Sequence, residues 1–352
     1  MIANPKRVLI TPLDWGLGHA TRCVPVVKEF LNQGCEVQIA TSGDALTLLK
    51  MEFPDLKFHL LTSYRAEYSR SVPLMIKIGM QLPKFLKAIE REHEESAIII
   101  DQEDIDVVIS DNRYGCWSKK IPSIFVGHQF AVRASVFTPM VNYFQRRAIR
   151  RFSRVWIPDE GGEKSLAGEL ISTKLKAEFI GFLSRMIWSQ RSPRYQIIAI
   201  ISGPEPQRTI FEEIVTRELK KSQRRCLLVQ GHPGRSARIT SGELEIVSHL
   251  SGEEMNNAIL ESEIVISRSG YSTIMDLAVL GKKAIFVATP GQPEQEYLAT
   301  RLMEKKIAFS MSQDKFDLRT ALQSAKAYSG FERADENLRL AGVIKGMINE
   351  TH

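Results

Sequence analysis

What most constrains this chain is a rhythm. A short apolar run is followed by a turn bearing glycine, proline or aspartate, then by a longer helical pattern, and the unit repeats. The runs at residues 7–11 (RVLIT), 36–40, 57–61, 106–109 and 123–127 read as strands, with a glycine-rich turn and a helix to about Asn32 after the first. Runs such as VVI and IFV do not alternate with polar residues, which suits strands covered on both faces. Strands alternating with helices demand parallel sheets with right-handed crossovers. The rhythm breaks over residues 181–196 (GFLSRMIWSQRSPRYQ) and starts afresh. Strands are expected at 197–201, 225–230, 244–248, 264–267 and 284–288, with a helix near 210–221. The expected class is α/β, with two Rossmann-like, doubly wound domains. They span residues 1–182 and 197–330, joined by a linker over 183–196. A last helix within 331–352 is expected to cross back to the first domain. In such sheets ligands bind outside the carboxyl ends of the strands, so the two domains are expected to face a central cleft.

Composition narrows the function classes. With 43% apolar and 25% charged residues, the 352-residue chain has enough apolar side chain to exclude disorder as its main state. The net charge of +6 fits an anionic small ligand, an acidic membrane or nucleic acid, without choosing among them. A nucleic-acid protein would need a broad basic stripe with interleaved aromatics, and no partner of that kind is expected. Cys23, Cys35, Cys116 and Cys226 form no CxxC and no zinc-ligand spacing with histidine. Free thiols in a reducing cytoplasm, with no metal and no bound cofactor, are the expectation. The N-terminus has no signal-peptide core, and nowhere do about 18 apolar residues run together. Any membrane contact is therefore expected to be peripheral.

Chemistry is concentrated in three glycine-bearing turns. Residues 12–22 (PLDWGLGHATR) place Gly16 and Gly18 between a strand and a helix, with His19 at the junction facing the cleft. A neutral imidazole there suits a general base, although a buried structural histidine is the plain alternative. An NAD fingerprint would need glycine where Thr21 stands and an acidic residue earlier than Asp44. In residues 201–209 (ISGPEPQRT), Ser202 and Gly203 end a strand ahead of a helix whose amides suit phosphate oxygens, while Glu205 would repel them. Residues 266–276 (ISRSGYSTIMD) repeat the arrangement with Ser269, Gly270, Thr273 and Asp276, the last within reach of a ribose diol. The next strand ends at Thr289-Pro290-Gly291. Gln292, Glu294, Gln295 and Glu296 gather there as donors and acceptors suited to sugar hydroxyls.

The segment SRSGYSTIMDLAVLGKKAIFVATPGQPEQEY resembles the C-terminal signature of the GT-B glycosyltransferases of family 28, the family of the peptidoglycan lipid II N-acetylglucosaminyltransferase. GLGHATR resembles that family's GGTGGH loop. Similarity runs in order along nearly the whole chain, with sharp motifs over about a fifth of it. The resemblance implies a GT-B architecture with a nucleotide sugar held mainly by the second domain. It implies His19 as the proposed general base, with Gly18 beside it. Arg185, in IGFLSR, falls near the donor diphosphate, and Ser202 and Gly203 fall on the phosphate loop. Leu250 falls where backbone groups meet uracil. Ser269, Gly270 and Thr273 match the RSG-x-x-T segment. Asp276 stands for a ribose-binding glutamate one methylene longer. Gln292, Gln295 and Glu296 fall on the donor-sugar loop, with Glu296 where a second glutamine is usual. His128 and Gln129, in GHQF, and Asp14 fall on the acceptor side. SGPEPQR replaces a glycine-richer loop. GLGHATRC also resembles the loop of nucleotide-sugar hydrolases of pseudaminic acid synthesis, which share the architecture and give the sugar to water.

The resemblance thus implies an inverting, metal-independent transfer of a hexose or N-acetylhexosamine from a UDP-sugar to a hydroxyl acceptor, in cell-envelope glycan or glycolipid synthesis. A hydrolase of the same fold and a non-catalytic nucleotide-sugar-binding protein are the alternatives. Two segments bear on the acceptor. Residues 140–154 (MVNYFQRRAIRRFSR) are expected to form one amphipathic helix, with Arg146, Arg147, Arg150, Arg151 and Arg154 on one face and Val141, Phe144, Ala148 and Phe152 opposite. Residues 71–86 are apolar with interspersed lysines. Together they suit an anionic bilayer at the inner face of the cytoplasmic membrane and a lipid-linked acceptor. A core-packed helix with a solvated arginine face is the other reading.

Overall fold

The computed structural model describes residues 5–64, 81–130, 138–173, 175–232, 237–334 and 338–350. The chain divides into two compact units. The first runs to Ser184 and includes the C-terminal helix; the second starts at Arg185 and ends before that helix.

In the first unit, β1 (Arg7–Pro12), β2 (Glu36–Thr41), β3 (Lys57–Leu60), β4 (Val107–Asp111), β5 (Ser123–Val126), β6 (Arg154–Ile157) and β7 (Ala177–Phe179) form one sheet in the order β3-β2-β1-β4-β5-β6-β7. Every pairing is parallel. Helix α1 (Leu17–Asn32) follows β1 and α2 (Gly43–Glu52) follows β2; α3 (Leu82–Gln102) leads into β4. Strands β1 and β4 have unbroken apolar centres, as expected of parallel strands covered on both faces. Val8, Leu9, Ile10, Val107, Val108 and Ile109 are all buried. The chain winds outward from β1 to β3, then returns to β4 on the other side of β1. This makes β1/β4 the point where the winding reverses.

The second unit repeats the plan. Its strands are β8 (Tyr195–Ile200), β9 (Cys226–Val229), β10 (Arg238–Ser241), β11 (Leu244–Val247), β12 (Ser262–Ser267), β13 (Lys283–Phe286) and β14 (Phe309–Ser310), ordered β10-β11-β9-β8-β12-β13-β14. Among the described strands of this sheet only the edge strand β10 runs antiparallel, and all four of its residues are exposed. The reversal here is β8/β12. Helices α5 (Gln207–Lys221), α6 (Gly252–Leu260), α7 (Tyr271–Leu280), α8 (Pro293–Glu304) and α9 (Leu318–Ala325) surround the sheet. Phe211, Val215 and Leu219 of α5 close a core with Ile197, Leu228, Ile266 and Ile285. Helix α10 (Leu338–Glu350) packs against α1 and buries Leu340, Ile344 and Met347.

The basic segment departs from expectation. Helix α4 is Thr138–Ile149 and stops five residues early. The N–H groups of Arg151 and Phe152 bond to carbonyls three residues back, and the Phe152 ring turns inward, 5.2 Å from that of Phe125. Arg154 then opens β6 and pairs with Glu350, while Arg151 lies 5.3 Å from the Trp117 ring. The five arginines therefore do not share one helical face, and Phe144, expected on the face opposite them, is exposed. Residues 71–80 of the other apolar segment lie outside the described residues.

Candidate active site

The first reversal brings three strand ends together. Gly16 caps α1 with φ 75°, a left-handed value that a side chain would strain. The tight turn places His19 in the first turn of α1. Asp111, the last residue of β4, is in register with Pro12 of β1, and the Leu13 N–H donates to its carbonyl at 3.0 Å. His19 Nδ1 therefore lies 3.2 Å from Asp111 Oδ1. One turn along α1, Arg22 donates from Nε to Asp111 Oδ2 at 2.7 Å and from Nη2 to Oδ1. Nη2 is also 2.9 Å from His19 Nδ1, and Nη1 donates to Nδ1 of His128, beyond β5, at 3.0 Å.

Charge is fixed in this cluster. Burial pushes the Asp111 carboxyl up, but Arg22 and His19 together outweigh it and hold the carboxyl far below the ordinary range. Burial and then Arg22 lower the His19 pKa against the pull of Asp111, so the imidazole is neutral at pH 7. Burial, then Asp111, pushes the Cys23 thiol well up. The side chains of Arg22 and Asp111 are 2% and 1% exposed, whereas that of His19 is 18% exposed. Only the imidazole of the three can meet a substrate.

The other first-unit candidates also have partners within the unit. Asp14 is half-buried, its carboxylate accepting from Ser42 Oγ at 3.0 Å and lying 3.5 Å from Arg113, which is itself paired with Glu92 at 2.7 Å. The Gly18 carbonyl accepts from Thr21 Oγ1, and the Gln129 carbonyl from Gln145 Nε2 at 2.7 Å. His128 is buried.

The second reversal is built from loops. Ser202 and Gly203 follow β8 and are exposed. Gly203 has φ +109°, and a Cβ there would sit 3.7 Å from Thr289 Oγ1, so the loop lies against the one after β13. Buried Ser269 donates to the Gln295 carbonyl at 2.8 Å. The Gln295 carboxamide oxygen accepts from Thr289 N at 2.9 Å, and Glu296 accepts from Gly291 N at 2.8 Å. Gln295 and Glu296 thus shape the loop through bonds within it. Thr289 Oγ1 and Gln292 Oε1 are buried atoms without a hydrogen-bond partner among the described residues. Gly270 caps α7, and Thr273 and Asp276 are half-buried in its first two turns. His249 is pushed down by burial and then by Arg185, which places that guanidinium beside the loop of buried Leu250.

Sequence reasoning left Asp111 without a role. Its signal is the polar end of an otherwise apolar run, VVISD, on the strand that returns beside β1. Arg22 lay inside the quoted GLGHATR motif, but only the fold reveals the carboxylate it holds.

Comparison with known proteins agrees with the fold. Residues 237–335 match the glycosyltransferase family 28 C-terminal domain. An uncharacterized glycosyltransferase of Methanosarcina acetivorans is 23% identical over 339 residues, spanning 85% of this chain and 84% of its own. The crystal structure of MurG from Acinetobacter baumannii superposes with a TM-score of 0.60 at 16% identity, covering 97% of this chain and 100% of that one. Spinosyn rhamnosyltransferase SpnG, complexed with thymidine diphosphate, superposes with a TM-score of 0.63 at 12% identity, covering 96% and 94%. The chain is a glycosyltransferase of the GT-B fold whose residues 237–335 match the family 28 C-terminal domain.

Proposed function

We propose that this enzyme moves a hexose or N-acetylhexosamine from a UDP-sugar to a hydroxyl acceptor, inverting the anomeric carbon. The observation that carries the reading is the neutral, partly exposed His19 imidazole held against an ionised, buried Asp111. The tautomer the reaction needs donates Nδ1–H to Asp111 and leaves the Nε2 lone pair for the acceptor hydroxyl. As the acceptor oxygen bonds to the anomeric carbon, its proton passes to Nε2. The bond from that carbon to the diphosphate oxygen breaks, and its electron pair leaves with UDP. Asp111 then stabilises the imidazolium as Arg22 holds the carboxylate in place.

The donor is assigned to the second unit. The family 28 match over that unit supports this, and the thymidine diphosphate complex of SpnG supports a nucleoside diphosphate as the donor's carrier. In this reading the 202–203 and 269–270 backbones, Thr273 and Arg185 meet the diphosphate. Leu250 borders the uracil, Asp276 the ribose, and the loop of Gln292, Gln295 and Glu296 the sugar. The test is a thermal-shift panel. A ligand at 100 times its Kd stabilises the folded state by about 2.7 kcal/mol. UDP is expected to raise the Tm, and GDP and NAD are not; equal shifts, or none with UDP, would refute the donor assignment. Sugar released from the UDP-sugar without any acceptor would assign the chain to hydrolysis instead.

The acceptor is read as lipid-linked, reached from an anionic membrane surface on the cytoplasmic side. Exposed Tyr143 and Phe144 beside Arg146 and Arg147 on α4 support this, as aromatic and basic side chains suit a headgroup interface. No helix among the described residues is long and apolar enough to cross a membrane.

A further inference from the structure

The second unit contains a buried cation that the reaction as derived does not use. Arg268 stands between Ser267, which ends β12, and Ser269, and it is 1% exposed. Its Nη1 donates to the carbonyls of Val287 and Ala288, each at 3.0 Å, just beyond β13. Its Nη2 donates to the carbonyl of Gln207, at the start of α5, at 2.8 Å and to Gln313 Oε1 at 2.6 Å. Gln313 in turn donates to the Gln207 side chain at 2.9 Å. The guanidinium lies 4.1 Å from the centre of the Phe211 ring.

These contacts tie together all three elements of the second reversal: the turn after β12, the chain leaving β13, and the helix that follows the β8 loop. A single side chain therefore links the segments that flank the exposed 202–203 loop, the 269–270 turn and the 289–292 loop. Every partner is neutral. Among the described residues no carboxylate pairs with Arg268, and burial alone lowers its pKa, to about 9. It still carries its full charge at neutral pH. A buried cation without a counter-charge is costly, and four oxygen dipoles and a ring face offset only part of that cost. The contrast with Arg113 and Arg22 is plain, since each of those meets a buried carboxylate.

We propose that Arg268 is the fixed cation of the donor site, a positioning residue that orders the three loops and supplies from within the fold the positive field a nucleoside diphosphate requires. The proposal rests on the donor assignment above. The counter-charge that the protein withholds is the pyrophosphate, whose negative charge grows as the sugar bond breaks. Neutral parts of the ligand gain nothing from this field. The signature is therefore a ratio, the affinity for UDP over that for uridine.

The test is calorimetric titration of UDP and of uridine into the full chain and into Arg268→Met and Arg268→Lys, each checked for folding by thermal unfolding. Arg268→Met is expected to lose about ten-fold or more in UDP affinity while uridine stays within about two-fold. Arg268→Lys keeps a charge but cannot make four hydrogen bonds, and it is expected to retain most of the ratio. If Arg268→Met does not fold, Arg268→Lys carries the test alone. Unchanged UDP binding by Arg268→Met, an equal loss of UDP and uridine, or collapse of the ratio in a folded Arg268→Lys would each overturn the proposal. Failure of the parent to bind UDP at all would instead overturn the donor assignment.

Discussion

The two sheets reverse their winding at equivalent places, β1/β4 and β8/β12, and carry opposite fixed charges there. At the end of β4 stands Asp111, a buried carboxylate held ionised by Arg22. Just past the end of β12 stands Arg268, a buried guanidinium among neutral oxygens. The same topology thus prepares two different electrostatic sites. At the first, Asp111 favours a positive imidazole, while burial and Arg22 outweigh it and keep the resting His19 neutral. The other suits a group that becomes negative, the departing diphosphate. Preorganised charge of this kind needs no reorganisation as the reaction proceeds.

Breaking the first site is expected to have the largest effect. His19→Ala should lower turnover ~10²–10⁴-fold while UDP still raises the Tm. Equal turnover in mutant and parent would remove His19 from the mechanism. Asp111→Asn should cost about 10²-fold or more in kcat, and it sharpens the comparison through pH. The base must be neutral, so kcat/KM falls as pH drops through the His19 pKa, which burial and Arg22 hold below 6.5. Asp111 pulls that value up, so its removal should move the acid limb to lower pH. Arg22 pulls it down, so Arg22→Met should move the limb to higher pH. Limbs that stay in place in both variants would contradict the coupling.

Smaller effects belong to the second site and the surface. At Gly203, φ +109° makes Gly203→Ala strained although space exists for the methyl group. A stability loss of about 1 kcal/mol or more is expected in denaturant titration, with weaker UDP binding by calorimetry. Arg146→Ala and Arg147→Ala should each weaken binding to anionic vesicles by ~1 kcal/mol. Co-sedimentation at low salt measures this, and absence of binding by the parent would defeat the membrane reading.

Much of the fold was legible because buried parallel strands write themselves as unbroken apolar runs. RVLIT and the helix to Asn32 are where the pattern put them, and the break over 181–196 separates the sheets except for its last two residues, which open β8. What escaped has physical reasons. Strand β10 is exposed and β14 has two residues, so neither shows periodicity. Strand β6 was hidden by arginines that continue a helical spacing after α4 has ended. Of the candidate site, the glycine turns were legible because only glycine tolerates the backbone at Gly16 and Gly203. The partners were not. Asp111 lies 89 residues from Arg22, and Arg268 reaches Gln207 and Gln313 across 61 and 45 residues, distances that only the strand order closes.

Nitrogen-15 NMR of the His19 ring through a pH titration tests the base assignment most directly. The account predicts a proton on Nδ1, donated to Asp111, and titration below 6.5. A proton resting on Nε2, with Nδ1 accepting from Arg22, or titration above 6.5, would contradict it.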